Sequence, residues 1–218
     1  VIALRDPAAL ARMTLAHWLS PAFPTGAFAF SHGLEQAVAS GAVVDADGFR
    51  AWLGDLLHHG TGWQDAILIA QGLRPGADLD ALSDLACALA PSSERLNETR
   101  TQGAAFARTV AALTGRTLPP RPVALAVAEA AAPLGLPAEE VIAAHLAAFA
   151  TNLTQVAIRL IPLGQSEGHA VLAALLPGLP ALATRAAAAT LDDLGAASLG
   201  ADLAAMAHET LQPRLFQS

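Results

Sequence analysis

Lysine is absent from this chain; all 12 of its Lys-plus-Arg residues are arginine. That excludes a Walker-type NTPase, whose phosphate loop needs a lysine, and any chemistry through a lysine Schiff base. Cysteine occurs once, as Cys87, so no internal disulfide can form. Its setting, Leu85-Ala86-Cys87-Ala88-Leu89, predicts a buried structural thiol. Tyrosine is missing and aromatics reach only 5%, which counts against a sheet protein, where aromatic side chains gather. Positive charge is sparse: the formal net charge is -7 and no basic run interrupts the acidic balance. Nucleic acid needs clustered cations to displace its counterions, so it is not an expected partner.

What is present favours helix. Hydrophobic residues make up 54% of 218, enough for a large core, and most are alanine and leucine, which lose little side-chain freedom in a helix. Breaks at Pro and Gly divide the chain into roughly ten helical segments. No fixed-period repeat and no long linker separates them, so the sequence predicts an all-α, single-domain bundle over residues 1–218, ending in a tail over 210–218. The longest apolar stretch, 141–161, carries His145, Asn152, Gln155 and Arg159. A membrane helix rarely holds so many polar groups; no membrane span is expected, and the chain reads as cytoplasmic.

The clearest helix covers 45–59, capped by Asp45, with Phe49, Trp52, Leu53, Leu56 and Leu57 on one face and Gly60 at its end. Residues 63–73 are apolar almost all round, as in a helix central to a bundle. Over 92–113 the stripe is Leu96, Gly103, Phe106, Val110 and Leu113, with Glu94, Arg95, Glu98 and Arg108 expected outside it. Pro137, then Glu139 and Glu140, opens another long helix, with a seam of Ile142, Leu146, Phe149, Leu153, Val156 and Leu160. Shorter helices are expected over 182–194 and 199–208. Pro213 stops regular helix in the tail.

Residues 19–35, LSPAFPTGAFAFSHGLE, do not read as ordinary helix. Pro21 and Pro24 fix φ and Gly26 admits conformations closed to other residues. The segment predicts a stiff connector that sets the directions of Phe23, Phe28 and Phe30. Phe30, Leu34 and Val38 would share one helical face, and Ser31 and Glu35 another. Two readings follow: a loop plugged into the core by its phenylalanines, or a surface for function.

The same segment is similar to the signature of the UreF family of urease accessory proteins. It resembles that signature in Leu19-Ser20-Pro21, Pro24-Thr25-Gly26-Ala27-Phe28 and Ser31-His32-Gly33-Leu34-Glu35. Further matches follow in order: Phe49 with Trp52-Leu53, Leu56-Leu57, Gly60 and Asp65; Glu98-Thr99-Arg100 with Gln102-Gly103; and Pro122-Val123-Ala124. The closing matches are Ile158 to Gln165 (IRLIPLGQ), His208-Glu209-Thr210, and Arg214-Leu215-Phe216 with Ser218. The chain departs from the pattern at Leu211-Gln212-Pro213 and at Gln217, and lacks a glycine soon after Ala124.

The resemblance implies a homodimeric helical scaffold with no tightly bound cofactor. It would bind a UreD/UreH-type protein and recruit and modulate the nickel-carrying GTPase of the UreG type. The assembly would then load nickel into apo-urease. The residues it marks for partners are Pro24, Gly26, Phe28, Ser31, Glu35, Arg100, Gln165, His208, Glu209, Thr210, Arg214, Leu215, Phe216 and Ser218. Phe216 is expected to anchor the tail on the UreD-type partner, the tail being loose alone; Arg100 and Arg214 are candidate fingers on the GTPase.

No catalytic residues are expected. Ala29-Phe30-Ser31-His32-Gly33 lacks the first glycine of a nucleophile elbow, and Ser31 and His32 are neighbours, not a facing pair. Asp55, His58 and His59, with distant His17 or His145, are the residues that suit nickel best, but His58 and His59 also suit a solvated helix C-terminus. The rival reading is an all-α dimeric regulator with a small apolar ligand between its helices.

Overall fold

The chain is described by a computed structural model covering residues 6–195 and 197–217. Short polar side chains start its helices where the sequence places them. Asp6 accepts from the N–H groups of Ala8 and Ala9 at the head of α1 (Pro7–Trp18). Asp45 accepts from Gly48 at the start of α3 (Ala46–His59), and Gly60 ends that helix. Asp78 caps α5 (Leu79–Ala88) and Ser92 caps α6 (Ser93–Thr114). Each such bond satisfies a donor that the helix cannot pair internally, worth about 1 kcal/mol. The remaining helices are α2 (Leu34–Ala39), α4 (Thr61–Gly72), α7 (Val123–Ala131), α8 (Ala138–Leu160), α9 (Gln165–Leu175), α10 (Leu179–Ala188) and α11 (Leu199–His208). That makes eleven α-helices and no strand among the described residues, as the composition predicts.

Helix α4 sits in the middle, packed against α3, α7, α8 and α10. It is buried nearly all round, as its sequence predicts, and even Asp65 and Gln71 are inside. Gln71 Nε2 donates to the carbonyl of Ala189, 2.7 Å away, and Arg74 donates to the same oxygen. These bonds hold the end of α10, which stops at Ala188 rather than running to 194; a short 3₁₀ turn, Leu191–Asp193, follows it. On α3, Phe49, Leu53, Leu56 and Leu57 are buried, while Trp52 packs at the margin of the core. Each such fully buried apolar side chain contributes about 1.5–3 kcal/mol.

Alanine permits close approach in α7, which is buried on most of its surface. Gly103 lets α6 meet the chain entering α7: a Cβ there would lie 1.9 Å from the carbonyl oxygen of Arg121. Helix α8 buries Ile142, Leu146, Leu153 and Val156. By length and composition, Ala138–Leu160 and Gln165–Ala188 could each cross a membrane. In this fold α8 instead lies among α3, α4, α9 and α10.

Three further expectations fail. Leu113 is exposed at the frayed end of its stripe, and Cys87 is only half-buried. Arg95 and Glu98, expected to face solvent, are buried. They are inside because each satisfies the other: the guanidinium of Arg95 bonds the Glu98 carboxylate.

Candidate functional site

After α1 the chain turns rather than continuing. Ser20 Oγ accepts from the N–H of Ala22, and the N–H of Phe23 donates to the carbonyl of Ser20 at 2.9 Å. Gly26 takes the left-handed conformation at φ 76°, leading into a 3₁₀ turn, Ala27–Ala29. His32 and Gly33 both have positive φ, 55° and 77°, immediately before α2. The connector plugs the core and also keeps one ring outside it. Phe23 and Phe30 plug the core, while Phe28 is 69% exposed. Helix α8 holds it in place: Asn152 Nδ2 donates to the carbonyl of Ala27 and Arg159 to that of Phe28.

Ser31 falls ahead of α2 rather than within it, and its Oγ accepts from the N–H of Glu35. Ser31 and Glu35 are both buried, so neither offers a surface to a partner. The Glu35 carboxylate instead grips the end of the chain. It accepts from the backbone N–H groups of Leu215 at 2.7 Å and Phe216 at 2.9 Å. It also meets Nε2 of His208 at 3.0 Å.

His208 is 0% exposed and its other nitrogen, Nδ1, lies 2.7 Å from a Glu94 oxygen. A carboxylate only accepts, so this arrangement is fully bonded when both ring nitrogens carry protons. Arg214 reaches the second Glu94 oxygen at 2.5 Å. Glu209 accepts from the N–H and hydroxyl of Ser93 at the head of α6. Those bonds hold its carboxyl below the usual range. Gln217 N–H donates to the carbonyl of Ala29. The clamp therefore ties α2, α6, α11, the tail and the connector together.

This corrects the expectation for Phe216. Its ring is 3% exposed and lies beneath the Arg159 guanidinium, 4.6 Å from the ring centroid. Two consecutive N–H groups fixed on Glu35 set it into its own chain. Leu215 beside it is 75% exposed. Pro24 and Thr210 are exposed, Gly26 is half-buried, and Ser218 lies outside the described residues. Arg100 and Gln165 are exposed on α6 and at the start of α9; among the described residues, neither has a hydrogen bond or ion pair to the clamp.

A cleft of about 110 Å³ opens beside the connector, lined on its apolar sides by Phe23, Phe28, Phe106 and Phe149. Its polar lining is His32, Asp65, Arg95, Glu98 and His145. Burial first, and then the charge of Arg95, hold His32 well below its ordinary value of 6.5. Burial lowers Arg95 to about 10. Asp65 meets His145 Nε2 at 3.2 Å, a pair that could orient a base. Among the described residues no hydroxyl or thiol is bonded to that imidazole, so no activated nucleophile accompanies it.

Sequence reasoning missed Glu94, Arg95, Glu98 and Arg159. A signal existed for two of them: counting back from Phe106 by eight and eleven positions reaches Glu98 and Arg95, which places them on the inward face of α6. The His and Asp residues weighed for metal do not converge. Asp55 accepts from Ser198, and His17 packs edge-on against Phe23. No group of three His, Cys, Asp or Glu side chains among the described residues could hold a metal ion.

Fold and clamp together define a helical protein closed by a buried carboxylate–histidine lock. The UreF family model matches residues 43–176. The urease accessory protein UreF of Cereibacter sphaeroides ATCC 17029 is 60% identical over 208 residues, covering 95% of this chain and 99% of that one. That of Paracoccus denitrificans Pd 1222 is 52% identical, covering 95% and 96%. That of Dinoroseobacter shibae DFL 12 is 46% identical, covering 95% and 99%. The class is that of the urease accessory proteins. The chain belongs to the UreF family.

Proposed function

We propose that this chain serves urease maturation as a non-catalytic dimeric scaffold. It binds a UreD/UreH-type protein through the tail and connector, then recruits and modulates a UreG-type GTPase. The assembly loads nickel, its cargo, into apo-urease. Family membership supports the accessory role. The observation that carries the finer reading is the clamp: it spends Glu35, His208 and Phe216 on holding the tail and leaves Leu215 outside. A large apolar side chain held rigidly in water is suited to a partner's pocket, because the ordering cost is already met. Exposed Phe28 on the connector, and Leu199, Leu203 and Met206 on one side of α11, extend the apolar surface available.

Arg214 is engaged by Glu94. Arg100, exposed and without an ion pair among the described residues, is the better candidate to meet the nucleotide of the GTPase.

The test is capture of purified UreD- and UreG-type proteins, followed by urease activation with nickel and GTP. Leu215→Asp should keep the fold, as judged by circular dichroism, and lower capture of the UreD-type protein at least tenfold, or about 1.4 kcal/mol. Undiminished capture would reject the tail as the docking element.

A further inference from the structure

The cleft beside the connector has no part in that scaffold reading, yet five ionisable side chains line it. Burying such groups in a helical bundle is expensive, and a buried ion pair is often no more stable than the apolar residues that could replace it. Packing alone does not account for them.

Each already has a polar partner. Arg95 and Glu98 neutralise each other, and Gln102 Nε2 donates to Glu98 at 2.8 Å. Asp65 faces His145. Two groups compete for Nδ1 of His32: Arg95, which can only donate, at 2.9 Å, and Glu98, which can only accept, at 3.0 Å. Nδ1 is taken up by this pair, whether it accepts from Arg95 or donates to Glu98. Nε2 is the ring nitrogen left over. Among the described residues Nε2 has no hydrogen-bond partner, and it is not sealed away as Trp52 Nε1 is; it is open to the cleft that His32 lines.

The walls are flat and apolar. Phe149 meets the His32 ring edge-on at 4.9 Å, and Phe23 lies 5.5 Å from Phe106. A volume of about 110 Å³ approaches that of engineered cavities that take up benzene.

The geometry points to a binding site for a small uncharged molecule, one that presents an amide or hydroxyl group to His32 Nε2 and lays a flat apolar body against Phe149 and Phe23. An ionised head would enter a site whose charged groups are already bonded to neighbours and would lose its hydration with little return. A purely apolar one would take water from Nε2 and return no hydrogen bond. Because Phe28 and Ala27 also line the cleft, an occupant would touch the connector directly.

Benzamide is the probe, titrated into the full chain and followed by NMR. The expected result is saturable binding in the millimolar range, with shifts at His32 and Phe149. Toluene, benzoate and benzamidinium should each bind at least roughly fivefold more weakly, the worth of one hydrogen bond. Ala148→Leu, at a small residue of α8 in the cleft wall, fills the space with a good helix former and should abolish binding while circular dichroism and melting stay near wild type. His32→Asn, which tolerates positive φ, is a second variant that removes the ring and should weaken binding. No saturation up to the solubility limit would overturn the proposal. So would toluene or benzoate binding as tightly as benzamide, or full affinity in folded Ala148→Leu.

Discussion

Glu35 shows how much one carboxylate can organise. Its two oxygens serve His208, Leu215 and Phe216, so removing its charge disturbs three elements at once. In Glu35→Gln the amide N–H would face donors, and His208 would lose an anionic partner in a fully buried position. We expect a loss of about 3 kcal/mol, the range for breaking a buried pair on one side, read as a lower urea midpoint, with earlier proteolysis of the tail. A midpoint within error of wild type would mean that the lock contributes little. The sequence marks Glu35, His208 and Phe216 as special but misassigns them. Residue type and family resemblance say that a position matters, not whether it faces out. Glu35 and Phe216 lie 181 positions apart in the chain, and no local pattern reveals that they meet.

Among elements, legibility follows periodicity. Helices α3 and α6 are readable because apolar spacing and caps agree, and their ends, like those of α11, fall within a residue of expectation. The end of α10 is not readable, since it is set by Gln71 on α4 and Arg74 just after it rather than by its own alanines. Packing of α11 on α2 depends on Gly33. Its φ of 77° disfavours a side chain, and a Cβ would lie 2.7 Å from the backbone nitrogen of Ala205. Gly33→Ala should therefore cost several kcal/mol, more than the roughly 1 kcal/mol of strain alone. Hydrogen exchange should show α11 losing protection before the α4–α8 core. Uniform loss of protection would instead make α11 part of the core unit.

At the scale of the whole molecule, the buried imidazole of His32 ties stability to pH. Folded, it is held well below 6.5, whereas unfolded it titrates near that value. Above pH 6.5 it is neutral in both states and contributes no slope. As pH falls through 6.5, the unfolded chain takes up a proton that the folded chain refuses, and stability declines. His58, also lowered, acts in the same direction. The melting temperature should fall between about pH 7 and pH 5, and the slope should be shallower in His32→Asn. An equal slope in that variant would place the effect elsewhere. The purified chain should hydrolyse no GTP; turnover in a preparation free of UreG-type protein would contradict a pure scaffold.

The order in which the lock's parts leave the ribosome has a consequence for biogenesis. Glu35 and Glu94 are synthesised well before His208, the side chain that settles both carboxylates. Until α11 emerges, two acids share a site with no imidazole between them, and the head of α6 lacks Glu209. The lock therefore cannot close until the last part of the chain has been made. A chaperone that shields the open α2–α6 edge during that interval would raise the yield of folded chain without touching the finished molecule.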